Sequence, residues 1–134
     1  MIALDTSVLV RYLVGSPPPQ AGAAAALIDA SAEDLGVSPV VLLECAHVLR
    51  TQYAIGERDI ADALVALLQR ENIVALGVRT EALVEALVRA RTLPGRPIAD
   101  ALIVATAAAL GATAIATFDL GQARHGLPIV TPGS

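Results

Sequence analysis

The chain has no lysine and no tryptophan, and all nine of its basic residues are arginine. It has a single cysteine, Cys45, so no internal disulfide framework exists and a reducing cytoplasm is the expected setting. Aromatic residues make up only 2% of the sequence, while hydrophobic residues reach 55%. The core must therefore be assembled from Ala, Val, Leu and Ile. Positive charge is also scarce: the net charge is −4 and the pI about 5.0. A broad basic surface of the kind that grips duplex DNA without sequence preference is thereby excluded. Local contacts to nucleic acid through a few arginines or bound metal ions remain compatible with that balance. High apolar content and low charge exclude a disordered chain. No secretory leader is expected at the N-terminus, because "MIALDTSVLV" has no basic segment and Asp5 interrupts its apolar residues. The 134 residues suffice for one domain with a sizeable core, expected to span 1–134, and are too few for two.

Against this background one long uncharged run stands out. Eighteen residues without charge separate Asp100 from Asp119. A membrane helix needs about 20 apolar residues, but "AAALGATA" is weakly hydrophobic and Gly111 falls where a helix would stop. The β-branched "TAIATF" that follows reads as a strand. The run is thus a buried helix, a glycine stop and a buried strand.

The same alternation holds along the whole chain. "IAL" at 2–4 is a short strand ending at Asp5. "TSVLVRYLV" is a helix closed by Gly15, and the prolines of "SPPPQ" start the next helix. "LGVSP" is a second strand, followed by "VVLLECAHVLRTQY" and the amphipathic "ERDIADALVALLQREN", both helical. "IVALG" is a third strand and "RTEALVEALVRARTL" another helix. "GQARHG" is a short turn or helix, and "LPIVTP" a last strand. Strands separated by helices imply a mostly parallel sheet of 4–5 strands covered on both faces, a three-layer α/β/α fold with strands buried on both sides. In such sheets ligands bind beyond the carboxyl ends of the strands. Asp5 and Asp119 both occupy such positions.

Two further acids sit in apolar surroundings. Glu44 interrupts "VVLLECAHVL", and Asp100 lies in the first turn of "IADALIVA". The other nine acids fall in polar loops or on charged helix faces and balance the nine arginines, so these four carry the whole net charge of −4. Each has an ordinary explanation. Asp5 and Asp119 suit helix N-caps, Asp100 suits a helix dipole, and Glu44 could share a polar stripe with His47 and Thr51. Together they are harder to explain so. Carboxylates gathered in a partly dry site repel one another, and no lysine is present to pair with them. A hard divalent cation, Mg²⁺ or Mn²⁺, is the natural compensation.

"DTSVLV" at the start, the helical Glu of "LLECAHVLR", the "PIADALIVATA" helix and "TFD" at a strand end resemble, in order and spacing, the PIN-domain ribonucleases. The small size is most similar to VapC-type toxins of bacterial toxin–antitoxin pairs. The resemblance implies a PIN-like domain in which Asp5, Glu44, Asp100 and Asp119 form the catalytic, metal-binding quartet, with the small hydroxyls of Thr6, Ser7 and Thr117 beside it. Pro97 stands where many relatives carry a further acid, which argues against tight binding of a second metal. The implied activity is metal-assisted endonucleolytic hydrolysis of RNA, leaving 5′-phosphate and 3′-hydroxyl ends. Arg11, Arg96 and Arg124, each close in sequence to a quartet member, are candidate phosphate contacts, and His47 and His125 are further candidates for contact with RNA. The implied partners are a second copy in a homodimer and a VapB-type antitoxin lying in a groove between the "VVLLECAHVL" and "IADALVALLQ" helices.

Other classes compete. An aspartyl-nucleophile phosphatase would need a second acid at position 7, where Ser7 stands, and both it and a receiver domain would need the missing lysine. A catalytically silent PIN-like module that binds RNA or a protein partner is the remaining alternative.

Overall fold

Leu35, Gly36 and Val37 are all buried and form the strand on which the architecture is built. A computed structural model describes residues 1–133. Among the described residues the elements run β1 (Ile2–Ala3), α1 (Thr6–Val14), α2 (Pro18–Ala30), β2 (Leu35–Val37), α3 (Pro39–Tyr53), α4 (Glu57–Leu68), β3 (Ile73–Ala75), α5 (Thr80–Ala90), α6 (Pro97–Ala109), β4 (Ile115–Ala116), a 3₁₀ helix (Leu120–His125) and β5 (Ile129–Val130). The result is the expected three-layer α/β/α arrangement with parallel strand pairing.

Local sequence explains most of the boundaries. Pro18, Pro39 and Pro97 each lie in the first turn of a helix, where a missing N–H costs nothing. Ser38 caps α3 by accepting a hydrogen bond from Val41 N at 3.2 Å. Gly15 closes α1 in the left-handed conformation, φ 77°, a region that admits glycine without steric penalty. Gly36 meets a different demand. A Cβ there would come within 2.8 Å of the Leu76 side chain and 2.9 Å of Met1 Sδ, so the central strand is bare where its neighbours close over it.

The sheet departs from expectation in two ways. The strands form two ladders, β1-β2-β3 and β4-β5, not one continuous sheet. In addition, only β2 is buried throughout. Both residues of β1 are exposed, and β4 and β5 each pair a half-buried residue with an exposed one. β3, the other edge of the first ladder, keeps Ile73 and Ala75 buried, so the exposed strands are β1 and the two-stranded ladder.

The core is aliphatic. Leu9, Ile28, Leu35, Leu42, Leu49, Ile60, Leu64, Leu83, Leu87 and Leu102 are at most 2% exposed and pack in one cluster. The apolar face of α4 is spent here, through Ile60, Leu64, Leu67 and Leu68. On α3 the residues Leu42, Cys45, Ala46 and Leu49 face the same core. The core-facing residues of both helices are therefore spent on the core, leaving Val40, Leu43 and Tyr53 as the exposed large apolar residues of α3. No helix among the described residues is long and apolar enough to cross a membrane.

Candidate active site

Asp5 follows β1 and occupies the N-cap of α1 with extended backbone angles, φ −93° and ψ 162°. An N-cap aspartate in that conformation ordinarily accepts a hydrogen bond from an amide of the first turn. Asp5 does not; its carboxylate makes no cap bond. Its side chain instead lines a cleft of about 310 Å³ together with Glu44 from α3. Thr6, Ser7 and Arg11 from α1 line the same cleft. Arg11 donates to Ser7 O at 3.1 Å and to Gln20 Oε1, which holds the guanidinium along the cleft wall.

Asp100 and Asp119 line a second cleft of about 270 Å³, with Arg96, Pro97, Arg124 and His125. Asp100 stands in the first turn of α6 and accepts a hydrogen bond from Gln122 Nε2 at 2.8 Å. Asp119 caps the 3₁₀ helix by accepting from Gly121 N at 2.9 Å, as its sequence position suggested. Its own amide donates to Thr117 Oγ1 at 3.0 Å, so Thr117 fixes the backbone that carries the acid. Arg96 and Arg124 approach this cleft without forming an ion pair to either aspartate.

The quartet is thus placed as two pairs, Asp5 with Glu44 and Asp100 with Asp119. Among the described residues no three Asp, Glu, His or Cys side chains gather as a ready-made metal cage. The expected dryness is also absent. Asp5, Glu44 and Asp119 are exposed and Asp100 is half-buried. The apolar neighbours that made these acids look embedded point elsewhere: Leu42 and Cys45 are buried in the core while Glu44, between them on the helix, faces out.

The donor set nonetheless fits a hard divalent cation. All four side chains offer carboxylate oxygens, none is committed to an arginine, and those of Asp5 and Glu44 have no hydrogen-bond partner among the described residues. Mg²⁺ is commonly held by one or two carboxylates with waters completing the shell, so a pair suffices.

Two residues of this site play parts that the sequence did not show. Gln122 is 8% exposed, and while its Nε2 holds Asp100, its Oε1 is buried without a partner. His125 was considered only as an RNA contact, yet it is 7% exposed and forms part of the cleft wall. Burial pushes its imidazole below the usual range, against the opposing pull of Asp100. Its backbone carbonyl accepts from Arg89 Nη1 at 2.7 Å, which ties the 3₁₀ helix to α5. His47 stays on the surface of α3, against Arg50. Glu57 is a third surprise. It is neither loop nor solvated face: one oxygen accepts from Ile98 N and the other pairs with Arg50 Nη1, each at 3.2 Å. It thereby anchors the turn of α6 that carries Asp100.

Inside the three-layer α/β/α fold, Asp5 and Asp119 follow β1 and β4, and Glu44 and Asp100 stand on α3 and α6. The chain belongs to the PIN domain family, whose profile matches residues 2–127. PIN domains are generally metal-dependent nucleases. Comparison with curated proteins gave no match.

Proposed function

We propose that the protein, read as one PIN domain over residues 1–134, is a metal-dependent endoribonuclease of the VapC type, the toxin of a cytoplasmic toxin–antitoxin pair. The observation that carries this reading is the pairing of Asp5 with Glu44 and of Asp100 with Asp119, each pair sharing its cleft with arginine. Mg²⁺, with Mn²⁺ as substitute, would supply an activated water and neutralise charge on an in-line phosphodiester displacement. Either carboxylate pair, Asp5 with Glu44 or Asp100 with Asp119, would hold the cation with waters completing its shell, and a carboxylate of the site would accept the water's proton. Thr117 fixes the backbone of Asp119, Gln122 orients Asp100, and Thr6 and Ser7 line the wall beside Asp5. Arg11, Arg96 and Arg124 offset the repulsion between acids and RNA phosphates. A homodimer and a VapB-type antitoxin complete the reading, by resemblance.

The lack of any three-acid cluster among the described residues favours one other reading, a catalytically silent module that binds RNA or a protein partner. One experiment separates the two. Purified protein is incubated with single-stranded RNA in Mn²⁺ or Mg²⁺, with and without chelator. Cleavage that chelator abolishes supports the nuclease. RNA binding with no cleavage under any metal supports the silent module. The toxin role is tested separately, by growth on expression with and without the product of the adjacent gene.

A further inference from the structure

The chain has only three aromatic residues, and none belongs to the buried core. Tyr12 is half-buried and its hydroxyl donates to Asp29 Oδ1 at 3.3 Å, which accounts for it. Tyr53 has no such engagement. It ends α3, is 42% exposed and has no side-chain partner among the described residues. It also lines the cleft that holds Asp5 and Glu44. A protein this short of aromatics has every reason to bury the rings it has, since each removes a large apolar area from water. Of the two rings left exposed, Phe118 lines neither acidic cleft, whereas Tyr53 stands in the wall of one, where a ligand would cover it.

The rest of the wall indicates what. Val48 and Pro17 supply apolar surface, and Gln52 offers a side-chain amide with no partner among the described residues. Arg11 contributes the one positive charge. A ring, an apolar wall, an amide with both donor and acceptor, and a nearby cation match a nucleotide whose base has left its helical stack. Single-stranded RNA is bound in this manner, by stacking on aromatic rings and hydrogen bonding at base edges. The volume, about 310 Å³, lies at the small end of ligand pockets and suits one planar group, not an extended chain.

We propose that the cleft between the C-terminal end of α3 and the α1–α2 turn is a subsite for one unpaired nucleobase of the RNA, with Tyr53 as its stacking surface and Gln52 at its edge. This rests on the nuclease reading, and it adds the residues that position the strand against Asp5 and Glu44.

The test measures binding of a fluorescent oligoadenosine and of an abasic oligomer of equal length, in Ca²⁺, to the intact protein. Tyr53→Ala should weaken oligoadenosine binding roughly tenfold or more and leave the abasic oligomer unaffected, while Tyr53→Phe, which keeps the ring, should bind as the unsubstituted protein does. Thermal melting confirms that each variant is folded. Equal binding of oligoadenosine by Tyr53→Ala and the unsubstituted protein overturns the subsite. So does equal weakening on both oligomers, which would mark a general electrostatic or structural effect. A change in sedimenting mass with unchanged affinity for oligoadenosine overturns it too, and assigns Tyr53 to a contact between copies. Failure of the unsubstituted protein both to bind oligoadenosine and to cleave RNA in Mn²⁺ removes the nuclease reading and the subsite together. RNA cleavage with Tyr53→Ala indistinguishable in binding removes the subsite alone.

Discussion

Gln122 reaches from the 3₁₀ helix to Asp100 on α6, its Nε2 donating to Oδ1 across 2.8 Å. A buried amide on a proposed ligand carboxylate leaves the acid one preferred orientation and directs its other lone pairs into the cleft. Residues that orient metal ligands in this way typically change metal affinity by about 10–100-fold when removed. Gln122→Leu should therefore raise the Mn²⁺ concentration needed for half-maximal thermal stabilisation by about tenfold. Its effect on the metal-free melting temperature should be small. The lost hydrogen bond is offset because the substitution also removes Oε1, a buried acceptor with no partner. An unchanged Mn²⁺ midpoint would show that Asp100 needs no such support.

Asp5 allows a cleaner separation of metal binding from folding. Its carboxylate contributes nothing to the N-cap of α1, and asparagine is as good an N-cap residue as aspartate. Asp5→Asn should keep or slightly raise the metal-free melting temperature, because one negative charge beside Glu44 is gone. The same variant should lose RNA cleavage and most of the stabilisation that Mn²⁺ gives the unsubstituted protein, a ligand effect that depends on binding to the folded state. Cleavage at the unsubstituted rate would remove Asp5 from the site.

Glu57 carries a structural prediction that the sequence hid. Its carboxylate satisfies Ile98 N at the start of α6 and pairs with Arg50, and both side chains are mostly buried. Hydrogen bonds to charged groups in such places are worth roughly 1.5–3 kcal/mol. Glu57→Ala should lower the melting temperature by roughly 5–10 °C. Because α6 carries Asp100, the substitution should weaken Mn²⁺ stabilisation as well. Glu57→Gln, which keeps the acceptor for Ile98 N, should be milder in both respects. Equal melting temperatures for all three proteins would place Glu57 among the ordinary surface acids.

What could be read ahead of the structure depended on the range of the interaction. Helix starts at Pro18 and Pro97 and the stop at Gly15 are local steric facts, and they are visible in single residues. The same holds for the strand positions and for Asp119 as a cap. The four acids stand out in the sequence because each interrupts an apolar stretch. Their exposure was not, since a helix turns successive residues to different sides and Glu44 faces out between two core residues. Partners separated by tens of residues left no local trace. Gln122 lay in a segment that reads as a polar turn, yet it bonds to Asp100, 22 positions earlier. Glu57 looked like any acid in the first turn of a helix, though its partner Ile98 lies 41 positions away. The break between the two strand ladders is of the same kind, because nothing in "IAL" or "TAIATF" states which strand each will pair with.

Cys45 gives a prediction about pH. It is fully buried, and burial, aided by the charge of the neighbouring Glu44, pushes its thiol from an ordinary 9.0 up to about 12. Between those values the folded protein keeps the proton and the unfolded chain releases it. Unfolding therefore becomes easier as pH rises, by about 1.4 kcal/mol per pH unit for this one group, and its contribution is fully present below pH 9. Tyr12, whose hydroxyl is also raised by burial, acts in the same direction, and the absence of lysine leaves few other groups to mask the slope. Urea unfolding of the unsubstituted protein should lose stability steadily above pH 9, and Cys45→Ala should show a shallower decline from a lower starting value. The buried thiol should also resist alkylation in the folded state at mildly alkaline pH and react once urea is added. Parallel pH profiles for the two proteins, or prompt alkylation without urea, would mean that Cys45 is not held protonated by the core.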